Sequence, residues 1–420
     1  MKLSRPLRNL TCALALVGFA SPVLATPNTV EKPVQPAPLA WSPAVKAKAL
    51  SATVERGLDW LVKHQLGDGG WGQGEESPNM GRGMQGVIGN SNVADTAMAT
   101  LTLLRSGSTP SAGSYAKNIN RGLDFVLGQI EASDEASLWV TSVRGTRVQG
   151  KIGPYVGTFL SAQLLAEVSG QMASPVRNTR VKSALAKVLG KMEHNQRADG
   201  GYTGGGWAPV LSQALAVKGT NRAFQRGAKV SEKLRDRSAK WAASKIDKVS
   251  GRFSATESAG VALYGTAATV GGLGDSVASD ELEEADLREA AEHAPTAVAR
   301  TVAKTRLARA KDTKEAQKAA QSALVARMSD QSFINGFGSN GGEEFLSYML
   351  VSESLVAKGG AEWNHWDQAM IRNLAQVQNG NGSWTGHHCI TGRTFCTAAA
   401  LLVLMADRAP MPLARELQRG

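Results

Sequence analysis

The sequence predicts an all-α fold, an α6/α6 toroid in which six helical hairpins close into a double-ring barrel. Three observations carry this. A phrase running from glutamine through a glycine turn to an aromatic residue recurs along the chain, an amphipathic helical segment precedes its copies, and an almost wholly apolar segment follows them. A helix without a polar face belongs inside a fold, and one with a polar face belongs outside it.

The elements follow in chain order. Residues 1–25, MKLSRPLRNLTCALALVGFASPVLA, place Lys2, Arg5 and Arg8 before an apolar run and end on small residues, the pattern of a Sec signal peptide cleaved after Ala25. This predicts a periplasmic or extracellular protein. Cleavage would remove those three basic residues and no acidic one, lowering the formal charge from +11 to +8. No later apolar run has the length of about 18 residues that a bilayer span needs, so a membrane-spanning protein is not expected. Nucleic acid is not expected as a partner either, because no Lys/Arg cluster is interleaved with aromatics. Residues 26–43 are proline-rich and read as a tether, 44–410 as the repeat domain, and 411–420 as a tail.

The repeat is clearest at its two ends. Arg56 to Trp71 reads RGLDWLVKHQLGDGGW, and Gln65 and Trp71 stand six residues apart; Gln196 and Tyr202, Gln331 and Phe337, and Gln378 and Trp384 keep that separation. RGLDFVLGQ at 121–129 leading to Trp139, and DKVSGRF ending at Phe253, complete six units. The segments after the aromatics are VADTAMATLTLL, YVGTFLSAQLLAEV, APVLSQALAV, ATESAGVALYGTAA, EFLSYMLVSESLVA and FCTAAALLVLMA, the expected inner helices. Residues 275–295 carry the acidic run DELEEADLREAAEH and read as an insertion beside a basic helix that contains Arg300 and Arg309.

The stretch from Arg56 to Trp71 resembles the QW repeat of the squalene cyclase and protein prenyltransferase superfamily, through Arg56, Gly57, Trp60, Leu61, Gln65, Gly69 and Trp71. The resemblance implies an α/α toroid in which the Gln amide binds helix-end backbone groups and the aromatic ring packs on it. Gln65, Trp71, Gln196, Tyr202, Gln331, Phe337, Gln378 and Trp384 are then structural. The chemistry of the superfamily is not implied with it. The Asp-x-Asp-Asp acid motif of the cyclases is missing, as is the Cys-Gly-Glu-Gln thioester signature of complement-like relatives, and an exported chain lacks access to the substrates of cytosolic prenyltransferases.

In such a ring the turns lie at one end, so the inner helices open their N-termini to one face, where helix dipoles favour an anion. Residues there are Asp95, Tyr155, Trp207, Glu257, Glu343, Glu344, His387, His388 and Arg393. Glu344, His388 and Arg393 form the candidate catalytic set, with Asp95, Glu257 and Glu343 as further carboxylates. A carboxylate in a first helical turn also stabilises that turn with no function beyond it. After signal removal two cysteines remain, Cys389 and Cys396, and an even count in an oxidising compartment predicts a disulfide. The alternative is a zinc site using His387, His388 and Cys389; no other cofactor is expected. Three functions stay open: a toroid binding an apolar or anionic ligand, or a protein, at its funnel; an atypical isoprenoid-modifying or glycan-cleaving enzyme on that scaffold; and an interaction module with a filled centre.

Overall fold

The computed structural model describes residues 41–77, 80 and 85–412. The expected signal peptide, most of the tether and most of the tail lie outside them. The helices are α1 (Ala52–Lys63), α2 (Gln85–Ile88), α3 (Val93–Arg105), α4 (Ala116–Ala132), α5 (Arg147–Ile152), α6 (Val156–Val168), α7 (Pro175–Asn195) and α8 (Val210–Gln225). There follow α9 (Glu232–Ala243), α10 (Ala262–His293), α11 (Ala297–Val325), α12 (Gln331–Ile334), α13 (Gly342–Lys358), α14 (Gly360–Gln376) and α15 (Arg393–Leu404). Two short strands, β1 (Trp41–Pro43) and β2 (Pro410–Pro412), pair antiparallel, so these ends of the expected tether and tail join each other.

The architecture is an all-α toroid. Helices α3, α6, α8, α10, α13 and α15 contact one another in cyclic order, α15 returning to α3. The remaining long helices lie outside: α1 on α15 and α3, α4 on α3, α7 on α6, α9 on α8 and α10, α11 on α10, and α14 on α13 and α15. Composition explains the sorting. Every residue of α6 is buried, whereas α1 buries Val54, Leu58 and Leu61 and turns Glu55, Arg56 and Asp59 to solvent. Side-chain caps fix several starts: Ser51, Asn92, Ser174, Ser231 and Thr296 each accept from the backbone amide three residues on.

Three glutamine–aromatic pairs share one hydrogen-bond pattern. Gln65 Nε2 donates to Gly69 O at 2.7 Å and to Asn118 O at the start of α4 at 2.9 Å. Gln378 Nε2 donates to Gly382 O and to Thr53 O of α1, both at 2.9 Å. Gln196 Nε2 donates to Gly200 O at 3.2 Å and to Leu234 O of α9 at 3.3 Å. Each amide thus ties its own turn to the carbonyls of the next outer helix. The turn glycines cannot be replaced without movement: Gly69 and Gly382 have φ near +90°, and a Cβ on either would meet a carbonyl of that helix at 2.6 Å. Trp71 and Trp384 are fully buried and donate through Nε1 to Leu61 O and Leu374 O.

The fourth expected pair departs from this pattern. Gln331 Nε2 bonds only the side chain of Asn335 within its own turn, and Phe337 is 56% exposed. Gly336 and Gly338, both at positive φ, turn the ring outward, and the Phe337 amide is engaged by Glu344. In the fourth unit the bridge Ile246↔Phe253 parallels Gln196↔Tyr202, with isoleucine where the amide would stand. The acidic run does not form a separate insertion. It continues inner helix α10 to His293, because nothing between Ala262 and His293 breaks the helix before Pro295. Its charge does face α11 as expected, through Glu283 with Arg306 and Glu281 with Lys314.

At the C-terminal ends of the inner helices six charges lie buried together. Arg105 pairs with Glu167 at 2.5 Å, and Lys218 Nζ stands 2.8 Å from both Asp275 and Glu353. Arg222 completes the cluster beside Asp275 at 3.6 Å and donates to Pro410 O of the terminal ribbon. Burial would raise Glu353, but Lys218, Arg105 and Arg222 hold it down to about 2.

Candidate functional site

The N-terminal ends of the inner helices form the other end of the ring, and the chemistry collects there. Helix α13 starts on Gly342, which puts Glu343 and Glu344 in its first turn, both completely buried. Glu344 is saturated with donors. Its Oε2 accepts from Gly341 N at 2.9 Å, and its Oε1 accepts from Phe337 N at 3.0 Å and Tyr264 Oη at 2.5 Å. His388 Nε2 lies 3.8 Å from Oε2 and 2.7 Å from Ser339 O. Burial raises the Glu344 pKa against the pull of these donors.

Glu343 is bonded on one side only. Its Oε2 accepts from Ile390 N at 3.2 Å, while Oε1 has no hydrogen-bond partner. Burial first, then the charge of Glu344, pushes its pKa up to about 8, with Lys151 opposing. Asp95, in the first turn of α3, repeats the arrangement: Oδ2 accepts from Asn92 Nδ2 at 2.6 Å and Oδ1 has no hydrogen-bond partner. Burial pushes it up to about 7, the Asn92 hydrogen bond opposing and Glu76 adding to the shift. Both acids bear electrostatically on the buried thiol of Cys396, on the intervening helix α15, whose pKa burial raises further. The site therefore holds carboxyls that keep a proton near neutrality on both neighbours of one inner helix.

Above these acids stand aromatic rings. Trp207 meets Tyr264 edge-on at 5.8 Å and Phe337 at 5.0 Å, and Phe337 meets His388 at 5.2 Å. Lys151 Nζ lies 5.7 Å from the Trp207 ring. Tyr264 is the residue of this cluster that sequence reasoning missed. Its signal was a phenol in the small and apolar first half of α10, a group that must find an acceptor when buried.

Several expectations are corrected. Arg393 does not converge on Glu344 and His388: it opens α15, and its Nη1 pairs with Glu75 at 3.2 Å. Glu257 pairs with Lys245 at 2.7 Å in a strained loop position with φ 66°. The N-termini of α8, α13 and α15 are not open to an anion, because neighbouring loops cover them. Arg393 N and Thr394 N donate to Glu75 O and Gln73 O, Gly342 N to Ile390 O, and Val210 N to Glu257 O. Cys389 and Cys396 are both free and do not form the expected disulfide. Cys389 sits at φ 55° with its thiol drawn to Lys151, and Cys396 donates to Ile390 O at 3.4 Å. Among the described residues no group of three or more His, Cys, Asp or Glu side chains is placed to hold a metal, His387, His388 and Cys389 included. Nor is any described helix long and apolar enough to cross a membrane.

Residues 39–143 match the squalene-hopene cyclase C-terminal domain family. Over this stretch, about a quarter of the chain, the protein is squalene-cyclase-like, in keeping with its all-α toroid. The stretch carries the Gln65–Trp71 turn and Asp95, whereas Glu343, Glu344 and His388 lie beyond it. No curated protein matches the chain.

Proposed function

We propose that this protein is an exported toroid that binds an apolar ligand over the aromatic cluster of Trp207, Phe337 and His388. The observation that carries the reading is Phe337. A phenylalanine gains about 1.5–3 kcal/mol from burial, yet this one is 56% exposed and is held there by a buried carboxylate and two edge-on rings. Packing does not require that expense of order around an exposed ring; a hydrophobic ligand would use it. The squalene-cyclase-like segment supports an isoprenoid chain as the ligand. The basic and apolar opening of the chain supports export.

Glu343 favours a second reading, proton transfer. A carboxyl that keeps its proton to about pH 8 and has one oxygen unengaged can act as a general acid towards an electron-rich ligand. Paired-carboxylate glycan cleavage is less well supported, since Glu344 is occupied by three donors.

Titration calorimetry with geranylgeraniol tests the binding reading. Saturable binding should be lost in Phe337→Ala and Trp207→Ala with the thermal transition little changed. Undiminished affinity in both variants would refute it. Turnover of the bound alcohol that disappears in Glu343→Gln would establish the second reading.

A further inference from the structure

The fourth unit has Ile246 where the intact units have a glutamine, and isoleucine cannot donate to the next outer helix. Its turn therefore lacks the amide-to-carbonyl tie that joins the turns of Gln65, Gln196 and Gln378 to α4, α9 and α1, and meets α11 instead through the Lys248–Asp312 ion pair. A groove of about 660 Å³ lies at that joint, between the 248–260 turn and α11. It continues, through the shared residues Gly260, Ala262 and Arg327, into a second groove of about 380 Å³ walled by Val261, Leu263, Phe333 and Phe337. Phe337 is the exposed ring of the aromatic cluster, so the grooves run from the outer surface to the mouth.

The lining is chemically one-sided. It holds three cations, Lys248, Arg252 and Arg327, and no acid. Lys248 is paired with Asp312 and Arg327 with Asp330. Arg252, exposed beside Ser250 and Ser254, has no ion pair among the described residues, although its charge and that of Asp247 across the turn attract each other. Deeper in the first groove, Thr266 is fully buried and its Oγ1 has no hydrogen-bond partner. One end of the path thus offers one uncommitted positive charge among hydroxyls, and the other end is apolar and aromatic.

The geometry points to a long-chain carboxylate as the occupant, its head at Arg252 and its chain running along Ala323 and Phe333 to Phe337. One uncommitted guanidinium answers one negative charge, in the bidentate manner that suits a carboxylate. The assignment rests on the apolar-ligand reading of the mouth for the end of the chain. It differs from that reading in naming an anionic head and the path by which the chain reaches the rings.

The test compares geranylgeranoate with geranylgeraniol, which share a chain and differ in the head, by titration of the full chain. The acid should bind about tenfold more tightly, the value of one charge-assisted hydrogen-bonded contact, and Arg252→Ala should erase that advantage while leaving the alcohol unaffected. Ala323→Trp, which fills the groove from α11, should weaken both ligands. Equal affinities in the wild type, an advantage that survives Arg252→Ala, or unaltered binding to a folded Ala323→Trp would overturn the groove assignment alone. Failure of the wild type to bind either molecule would overturn both it and the mouth reading.

Discussion

Replacing Glu343 by glutamine keeps an oxygen to accept the Ile390 amide and removes the titrating proton. In the wild type this carboxyl is fully buried, sits beside Glu344, and has a pKa of about 8 against an ordinary value of 4.5. The folded protein thus holds the proton more tightly than the unfolded chain does. The stability it contributes is complete below about pH 4.5, declines as pH rises, and is gone above about 8. At 1.36 kcal/mol per pH unit the whole span has an upper limit of roughly 5 kcal/mol. Asp95 adds a decline of the same sign between 3.8 and about 7, so Glu343→Gln should flatten the curve without levelling it. Urea unfolding of both proteins at intervals from pH 4.5 to 9 measures this. Parallel curves for wild type and Glu343→Gln would refute the assignment of a buried, proton-holding Glu343.

Trp71→Ala and Trp384→Ala should each cost about 3–5 kcal/mol in denaturant unfolding, as large buried aromatics do, whereas exposed Phe337→Ala should cost under about 1 kcal/mol. Lys218→Met removes the nearest partner of both Asp275 and Glu353, leaves Arg222 at 3.6 and 3.9 Å as the cation they share, and should destabilise by about 3 kcal/mol in the same assay. Because the Glu353 pKa is held at about 2, its pairing contributes stability above about pH 4.5 that is lost as pH falls through 2, and Glu353→Gln should blunt acid unfolding. Cys389 and Cys396 should be recovered as free thiols in non-reducing peptide mapping, and Cys396, fully buried, should alkylate only on unfolding.

The toroid was legible because its signals are local and repeated. The helical period of α1 and the unbroken apolarity of α6 state directly which helices lie outside and which inside. The pairs at Gln65 and Gln378 were legible for the same reason. Phe337 was not: its spacing from Gln331 matches the others, but two positive-φ glycines on either side decide its direction, and sequence spacing does not carry backbone direction. The candidate site was legible in part. Position in a first helical turn identified Asp95, Glu343 and Glu344, and adjacency in the ring brought Glu344 to His388. The partner of Arg393 could not be read, because Glu75 lies more than 300 residues away in a loop without regular structure. The cysteine count suggested a bridge, yet the left-handed backbone at Cys389 turns its thiol to Lys151 instead.

Photocrosslinking with a benzophenone analogue of geranylgeraniol tests the binding site most directly. Adducts at the mouth, at Trp207, Phe337 and the 386–392 loop, and along the groove that leads to it past Phe333, competed by geranylgeraniol, are the expected result. Uncompeted adducts scattered over the outer helices, or adducts concentrated at the opposite end of the ring around Lys218 and Glu353, would contradict a ligand site at the aromatic mouth.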